Sequence, residues 1–270
     1  MVNYLRCIPS ILLNKKVIVD VHGVLVDELK YNHAPWWKIR LYTIIEKLIM
    51  KYANKIICVT EQMKDYFVQK HSINSNKIIV LPIFYKKINL GEIKDKNYDM
   101  QTVIYAGNLD KWQNIDEMLG LAYRYHNFNY QFLVSDLARF KSILDKNQIK
   151  NANIKYNSVP KEEVPSYYAN ASFGFVIRDN NILNRVSCPT KLIEYISNGV
   201  IPIMNDFQLG DFNGLRYISV NDFKNNRIPN RATLKQMAFQ NAILYNKIYT
   251  KATEAANLLR KIVNDKNMEI

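Results

Sequence analysis

Apolar residues recur along this chain in two alternating rhythms, short β-branched runs and longer stretches of helical period. Residues 16–21 (KVIVDV), 55–60 (KIICVT) and 77–82 (KIIVLP) are continuous apolar runs bounded by polar residues, the pattern of strands buried on both faces. Between the first two, residues 36–53 (WWKIRLYTIIEKLIMKYA) have a helical period, with Leu41, Ile44, Ile45 and Leu48 on one expected core side. Thr60 is placed to cap the helix that follows, with Glu61 in its first turn.

Residues 85–100 (YKKINLGEIKDKNYDM) are polar and read as a linker. A second series then opens. Strands are expected at 102–106, 130–134, 153–156, 172–177, 200–204 and 216–220. Helices are expected at 115–124, 137–144, 162–169 and 190–198, and a long helical stretch at 232–263, with room for one break. Strands alternating with helices imply parallel sheets covered on both faces, so the chain reads as α/β. The boundaries expected are 1–90 for a first domain, 91–230 for a second, and 231–270 for a helical segment packing back on the first.

The stretch SCPTKLIEYISNGVIPI (187–203) carries the most chemical information. Pro189 suits a first helical turn, with Ser187 or Cys188 at the cap, and Gly199 suits a helix stop before a buried strand. On this helix Thr190, Glu194 and Asn198 share a polar face, while Leu192, Ile193 and Ile196 form the apolar one. An open helix N-terminus is a ready site for a phosphate, because its amides are unpaired and the dipole favours negative charge. A carboxylate one turn further can accept hydrogen bonds from sugar hydroxyls. The plain structural alternative is a surface helix in which Glu194 pairs with Lys191.

Composition narrows the picture only a little. The net charge of +13 suits an anionic partner, but the lysines are spread along the chain with no nucleic-acid module, so nucleic-acid binding is not expected. Cys7, Cys58 and Cys188 form no disulfide or zinc spacing, and the four histidines are scattered, so no metal site is expected and a reducing cytoplasm is. Residues 1–13 lack the features of a secretory signal, and no apolar run is long enough to span a bilayer. Trp36, Trp37, Lys38 and Arg40 have the aromatic and basic character of a membrane interface, or else fill the core.

In order along the chain, VIVDVHG (17–23), KYANKIICVTEQMKDYF (51–67), KIIVLP, VIYAGN (103–108), SVPKEEVPSYYANASFGFVI (158–177) and SCPTKLIEYISNG resemble the elements of retaining glycosyltransferases of family 4, of the capsule and lipopolysaccharide type. The resemblance implies a GT-B architecture of two Rossmann-like domains, the N-terminal one incomplete. It implies transfer of a sugar from a nucleotide-diphosphate donor to a glycan or lipid-linked acceptor, with retention, in surface polysaccharide biosynthesis. The alternative is a truncated or inactive relative that binds a nucleotide sugar or needs a partner chain supplying the missing N-terminal elements. No cofactor is implied, and the location implied is the cytoplasm, at the inner face of the membrane.

Carried over by position, Glu194 would contact the donor ribose, and Pro189, Thr190 and Lys191 would offer helix amides to the diphosphate. Gly107 and Asn108 open the donor turn, Val159 and Pro160 would read the base, and Lys111 and Arg178 would supply cations. His22 would act on the acceptor side, as a catalytic or positioning group. Two positions depart from the family pattern: Val186 stands where a first glutamate is usual, and Asn108 where an arginine is usual.

Overall fold

The computed structural model describes residues 2–13, 15–98, 101–149 and 153–264. In the first part of the chain α1 (Val2–Leu12) leads to β1 (Ile18–Val21), then α2 (Leu25–Tyr31) and α3 (Trp36–Tyr52) cross to β2 (Lys55–Cys58). Helix α4 (Glu61–His71) and a 3-10 turn (Ser75–Lys77) then lead to β3 (Ile78–Val80). The three strands form one parallel sheet in the order β1-β2-β3, with Val19 beside Ile56 and Ile57 beside Ile79. Thr60 caps α4 as its sequence position predicts, its hydroxyl accepting from the Met63 amide at 3.0 Å.

Helix α3 corrects the sequence reading of its buried side. Tyr42, Ile45, Glu46, Ile49 and Met50 face the core, whereas Leu41, Ile44 and Leu48 are 44%, 53% and 40% exposed. The helix carries two apolar stripes, and the inward one was hidden because it contains a glutamate. Glu46 is fully buried, and one of its oxygens accepts from Lys70 at 2.8 Å and from His71 at 2.9 Å. Lys70 also bonds Asp27 of α2 at 2.9 Å, and Tyr66 donates to the same carboxylate, so α2, α3 and α4 share one polar cluster. A buried charge costs several kcal/mol unless paired, so this network fixes which face of α3 turns inward.

The second series begins with α5 (Leu90–Asp95), followed by β4 (Thr102–Ala106), α6 (Ile115–Arg124), β5 (Asn129–Leu133), α7 (Leu137–Lys146) and β6 (Ile154–Asn157). Next come α8 (Val164–Ala169), β7 (Phe173–Val176), α9 (Ile182–Arg185), α10 (Thr190–Ser197), β8 (Ile201–Met204), β9 (Ile218–Ser219), α11 (Val220–Lys224) and α12 (Arg231–Asn264). All six strands are parallel, in the order β6-β5-β4-β7-β8-β9. Strands β7 (FGFV) and β8 (IPIM) are buried at every position, which is why they read as continuous apolar runs. Gly174 leaves room for the Tyr195 ring, which occupies the space a side chain there would need.

The segment read as a linker holds more structure than its polarity suggested. It contains α5, capped by the Asn89 side chain, and buries Ile88, Ile93 and Tyr98. Helix α12 is unbroken over 34 residues and packs on α5, α10, β3 and β8. Its Asn246 bonds both the amide and the carbonyl of Ile88, at 3.0 and 3.1 Å. Its Tyr245 hydroxyl accepts from the Tyr85 amide at 3.1 Å and donates to the Lys86 carbonyl at 2.9 Å. The two sheets are tied again on α4, where Thr60 donates to the Val186 carbonyl at 2.6 Å and Asp211 accepts the Glu61 and Gln62 amides at 2.6 and 3.2 Å.

Candidate functional site

In an open parallel sheet ligands sit beyond the C-terminal strand ends, where the strand order reverses. Here that point lies between β4 and β7, because the chain runs outward from β4 through β5 and β6 and then returns to β7. Gly107 follows β4 and Arg178 lies just beyond β7, both lining a cavity of about 710 Å³. Helix α10 delivers its first turn to the same cavity. Its N-cap is Pro189, no side chain caps its amides, and Gly199, at φ +65°, ends it after Asn198.

Two basic side chains, Lys191 and Arg178, define the floor. Lys191 is 6% exposed, with Nζ 3.4 Å from Gln113 Oε1 and 4.1 Å from the centre of the Tyr105 ring. Burial, then the Arg178 guanidinium, push its ammonium down to about 7, against smaller upward pulls from Glu194 and Asp110. Arg178 donates from Nη1 to Asn184 Oδ1 at 3.2 Å, its buried Nε has no partner, and burial lowers its basicity as well. A side chain at Gly107 would collide with Lys191 Nζ, so glycine lets backbone and ammonium share the floor.

Glu194 lies one turn along α10 and binds two tyrosines instead of Lys191. Tyr85 donates to Oε1 at 3.0 Å and Tyr168 donates to Oε2 at 2.8 Å. Burial first, and the carboxylate beside them, raise both phenols above their ordinary range, so they stay protonated donors. The Lys191–Glu194 pair weighed from the sequence therefore does not form.

Of the residues nominated from the sequence, Gly107, Asn108, Val159, Arg178, Thr190, Lys191 and Glu194 line this one cavity. Pro189 is buried behind it as the helix cap, and Pro160 is exposed outside it. Lys111 also lies outside, on an exposed turn with Nζ 5.8 Å from the centre of the Tyr31 ring of α2. His22 stands exposed after β1, its Nε2 2.8 Å from Asp20 Oδ2, and Val186 is buried away from the cavity. Sequence reasoning missed Tyr85, Tyr168 and Gln113, all of which line the cavity. Tyr168 had a usable signal, since its helix lies within the segment matched to the base-binding region.

Residues 2–84 match the sequence profile of Glycosyltransferase Family 4. The chain is 22% identical over 272 residues to the chitobiosyldiphosphodolichol beta-mannosyltransferase of Candida albicans, an alignment that takes in 90% of this chain. It spans 58% of the length of that relative. Anabaena HepE, solved with UDP-glucose, superposes with a TM-score of 0.70 at 11% identity, over 95% of this chain and 75% of that one. WaaG, a glycosyltransferase involved in lipopolysaccharide biosynthesis, superposes at 0.61 with 15% identity, over 89% of this chain and 74% of its own. Residues 2–84 thus resemble the family 4 glycosyltransferases, and the chain has the GT-B fold.

Proposed function

We propose that the cavity binds a nucleoside-diphosphate sugar and that the chain transfers the sugar to a hydroxyl of a glycan or lipid-linked acceptor, with retention, in surface polysaccharide biosynthesis. The observation that carries this reading is Glu194 one turn beyond an uncapped helix N-terminus, inside the same cavity as Arg178. The α10 amides and Arg178 face the diphosphate, and Glu194 accepts the ribose hydroxyls. Val159 borders the base, and Asn108 follows the turn at Gly107. The bond from the anomeric carbon to the diphosphate oxygen breaks, and a bond to the acceptor oxygen forms on the same face. The acceptor proton passes to the departing diphosphate. Charge on that leaving group is met by amides and cations, so the reaction needs no metal ion or cofactor.

On the first sheet His22 positions the acceptor hydroxyl. The exposed aromatic and basic residues of α3, with Trp36 74% and Trp37 57% exposed, meet anionic headgroups at the inner face of the membrane. The same apolar face favours a second reading, in which the chain binds the donor but transfers only with a partner chain covering α3.

Melting temperature with UDP-glucose, GDP-mannose and related donors tests the reading, because a ligand held only by the folded state raises it by mass action. A rise with one donor, absent in Glu194→Ala, is expected. No rise with any donor on folded protein overturns the donor site. An NMR assignment of the product anomer tests retention.

A further inference from the structure

The amine of Lys191 is buried without a carboxylate partner among the described residues. It is the second residue of α10, yet its side chain runs inward beneath Gly107 instead of out to water. None of the ion pairs among the described residues involves it. Its polar side-chain contact is the Gln113 amide, and the Tyr105 ring lies against it.

We propose that Lys191 grips the diphosphate through its ammonium group and takes up a proton as the donor binds, so that donor binding is coupled to pH. This rests on the nucleotide-sugar reading of the cavity. The titratable and charged groups facing Lys191 are Arg178 beyond β7, Asp110 and Tyr105 from β4 and its turn, and Glu194 on its own helix. Arg178 repels a second cation. Asp110 and Glu194 attract it, but Glu194 spends its oxygens on Tyr85 and Tyr168. Tyr105 is neutral, because burial raises its phenol far above neutrality.

A buried ammonium without a counterion sheds its proton rather than bear the desolvation cost. A diphosphate diester carries two negative charges and no group that titrates near neutral pH. Seated between Arg178 and Lys191, it becomes the missing counterion and draws the amine to its charged form. The proton comes from solvent and the donor releases none, so the balance is uptake of up to one proton per donor bound. Burial holds this amine near 7, so the coupling falls in the neutral range.

Calorimetric titration of the wild-type chain with UDP-glucose and GDP-mannose between about pH 6.5 and 8.5 reads this directly, with each pH run in two buffers of different ionisation enthalpy. Donor affinity is expected to fall as pH rises, approaching about tenfold per pH unit above neutrality, with a buffer-dependent heat that reports proton uptake. Lys191→Met should bind at least about tenfold more weakly and lose the pH slope. A wild-type affinity that is flat with pH, a heat independent of buffer, or a slope that persists in Lys191→Met overturns the inference while leaving the donor site standing. Failure of both donors to bind at any pH overturns the nucleotide-sugar reading itself. The wild-type measurement holds even if the variant folds poorly.

Discussion

The Tyr85 hydroxyl and the Glu194 carboxylate meet across the cavity at 3.0 Å, joining the segment after β3 to the first turns of α10. The Tyr85 backbone is held by Tyr245 of α12, which places the residue at the wall of the cavity. That hydroxyl occupies a lone pair that a ribose hydroxyl would use. Tyr85→Phe removes the competitor and keeps the ring. A hydrogen bond is worth about 1 kcal/mol net, so the variant should bind UDP-glucose or GDP-mannose about two- to tenfold more tightly. Weaker binding by calorimetry would show that Tyr85 holds the donor instead of competing with it.

Gly174→Ala tests how tightly α10 is seated on the second sheet. The added methyl meets the Tyr195 ring, which is fully buried and donates to the Ile104 carbonyl at 3.2 Å. Overpacking of this kind costs about 1–3 kcal/mol, so the urea midpoint should drop while the slope of the transition stays unchanged. An unchanged midpoint would mean that α10 can lift from β7 at no cost.

Much of this architecture was legible because the sequence is locally consistent with it. Helix α6 runs from Ile115 to Arg124 as its apolar spacing required, and Gly199 ends α10 where only a positive φ would serve. Several features were illegible for physical reasons. A lysine beside Leu192 and Ile193 reads as the polar edge of a helix, and only the tertiary fold shows it turned inward beneath Gly107. Tyr85 sits among lysines in a polar segment, and nothing local says that α12 will clamp it beside Glu194. Lys111 follows a glycine turn and looked like the phosphate cation, but the turn carries it toward Tyr31. In α3 the apolar period was clear, yet its two stripes were told apart by the partners of Glu46, which come from α4.

The exposed stripe of α3 gives a separable prediction for the membrane proposal. Trp37, Leu41 and Ile44 are 57%, 44% and 53% exposed, so changing them to serine leaves the inward stripe intact and should lower the melting temperature less than a change at the fully buried Ile49. Co-sedimentation with phosphatidylglycerol vesicles should fall at least several-fold in the triple variant and weaken with salt in the wild type. Equal sedimentation of both proteins would remove the membrane from the proposal.

Stability should rise with pH just above neutrality, and the sign follows from two lysines. Lys96 donates to the Tyr168 and Asn198 carbonyls at 2.8 Å each, and burial pushes its ammonium down to about 7, as it does for Lys191. In the unfolded chain both return to about 10.4. Between these values the unfolded state binds more protons than the folded one, so unfolding free energy grows with pH. The contribution is complete above the unfolded value and is lost as pH falls toward 7. Buried thiols oppose it later: burial holds Cys58 near 12 and Cys188 near 11, so above about 8.5 the unfolded chain loses thiol protons that the folded chain keeps. Urea midpoints should therefore climb from pH 7 to about 8.5 and then level off. Lys191→Met should flatten part of the climb, because the methionine carries no proton to lose. A midpoint that falls steadily across this interval would show both amines to be charged in the folded chain, and would remove the ground for proton uptake on donor binding.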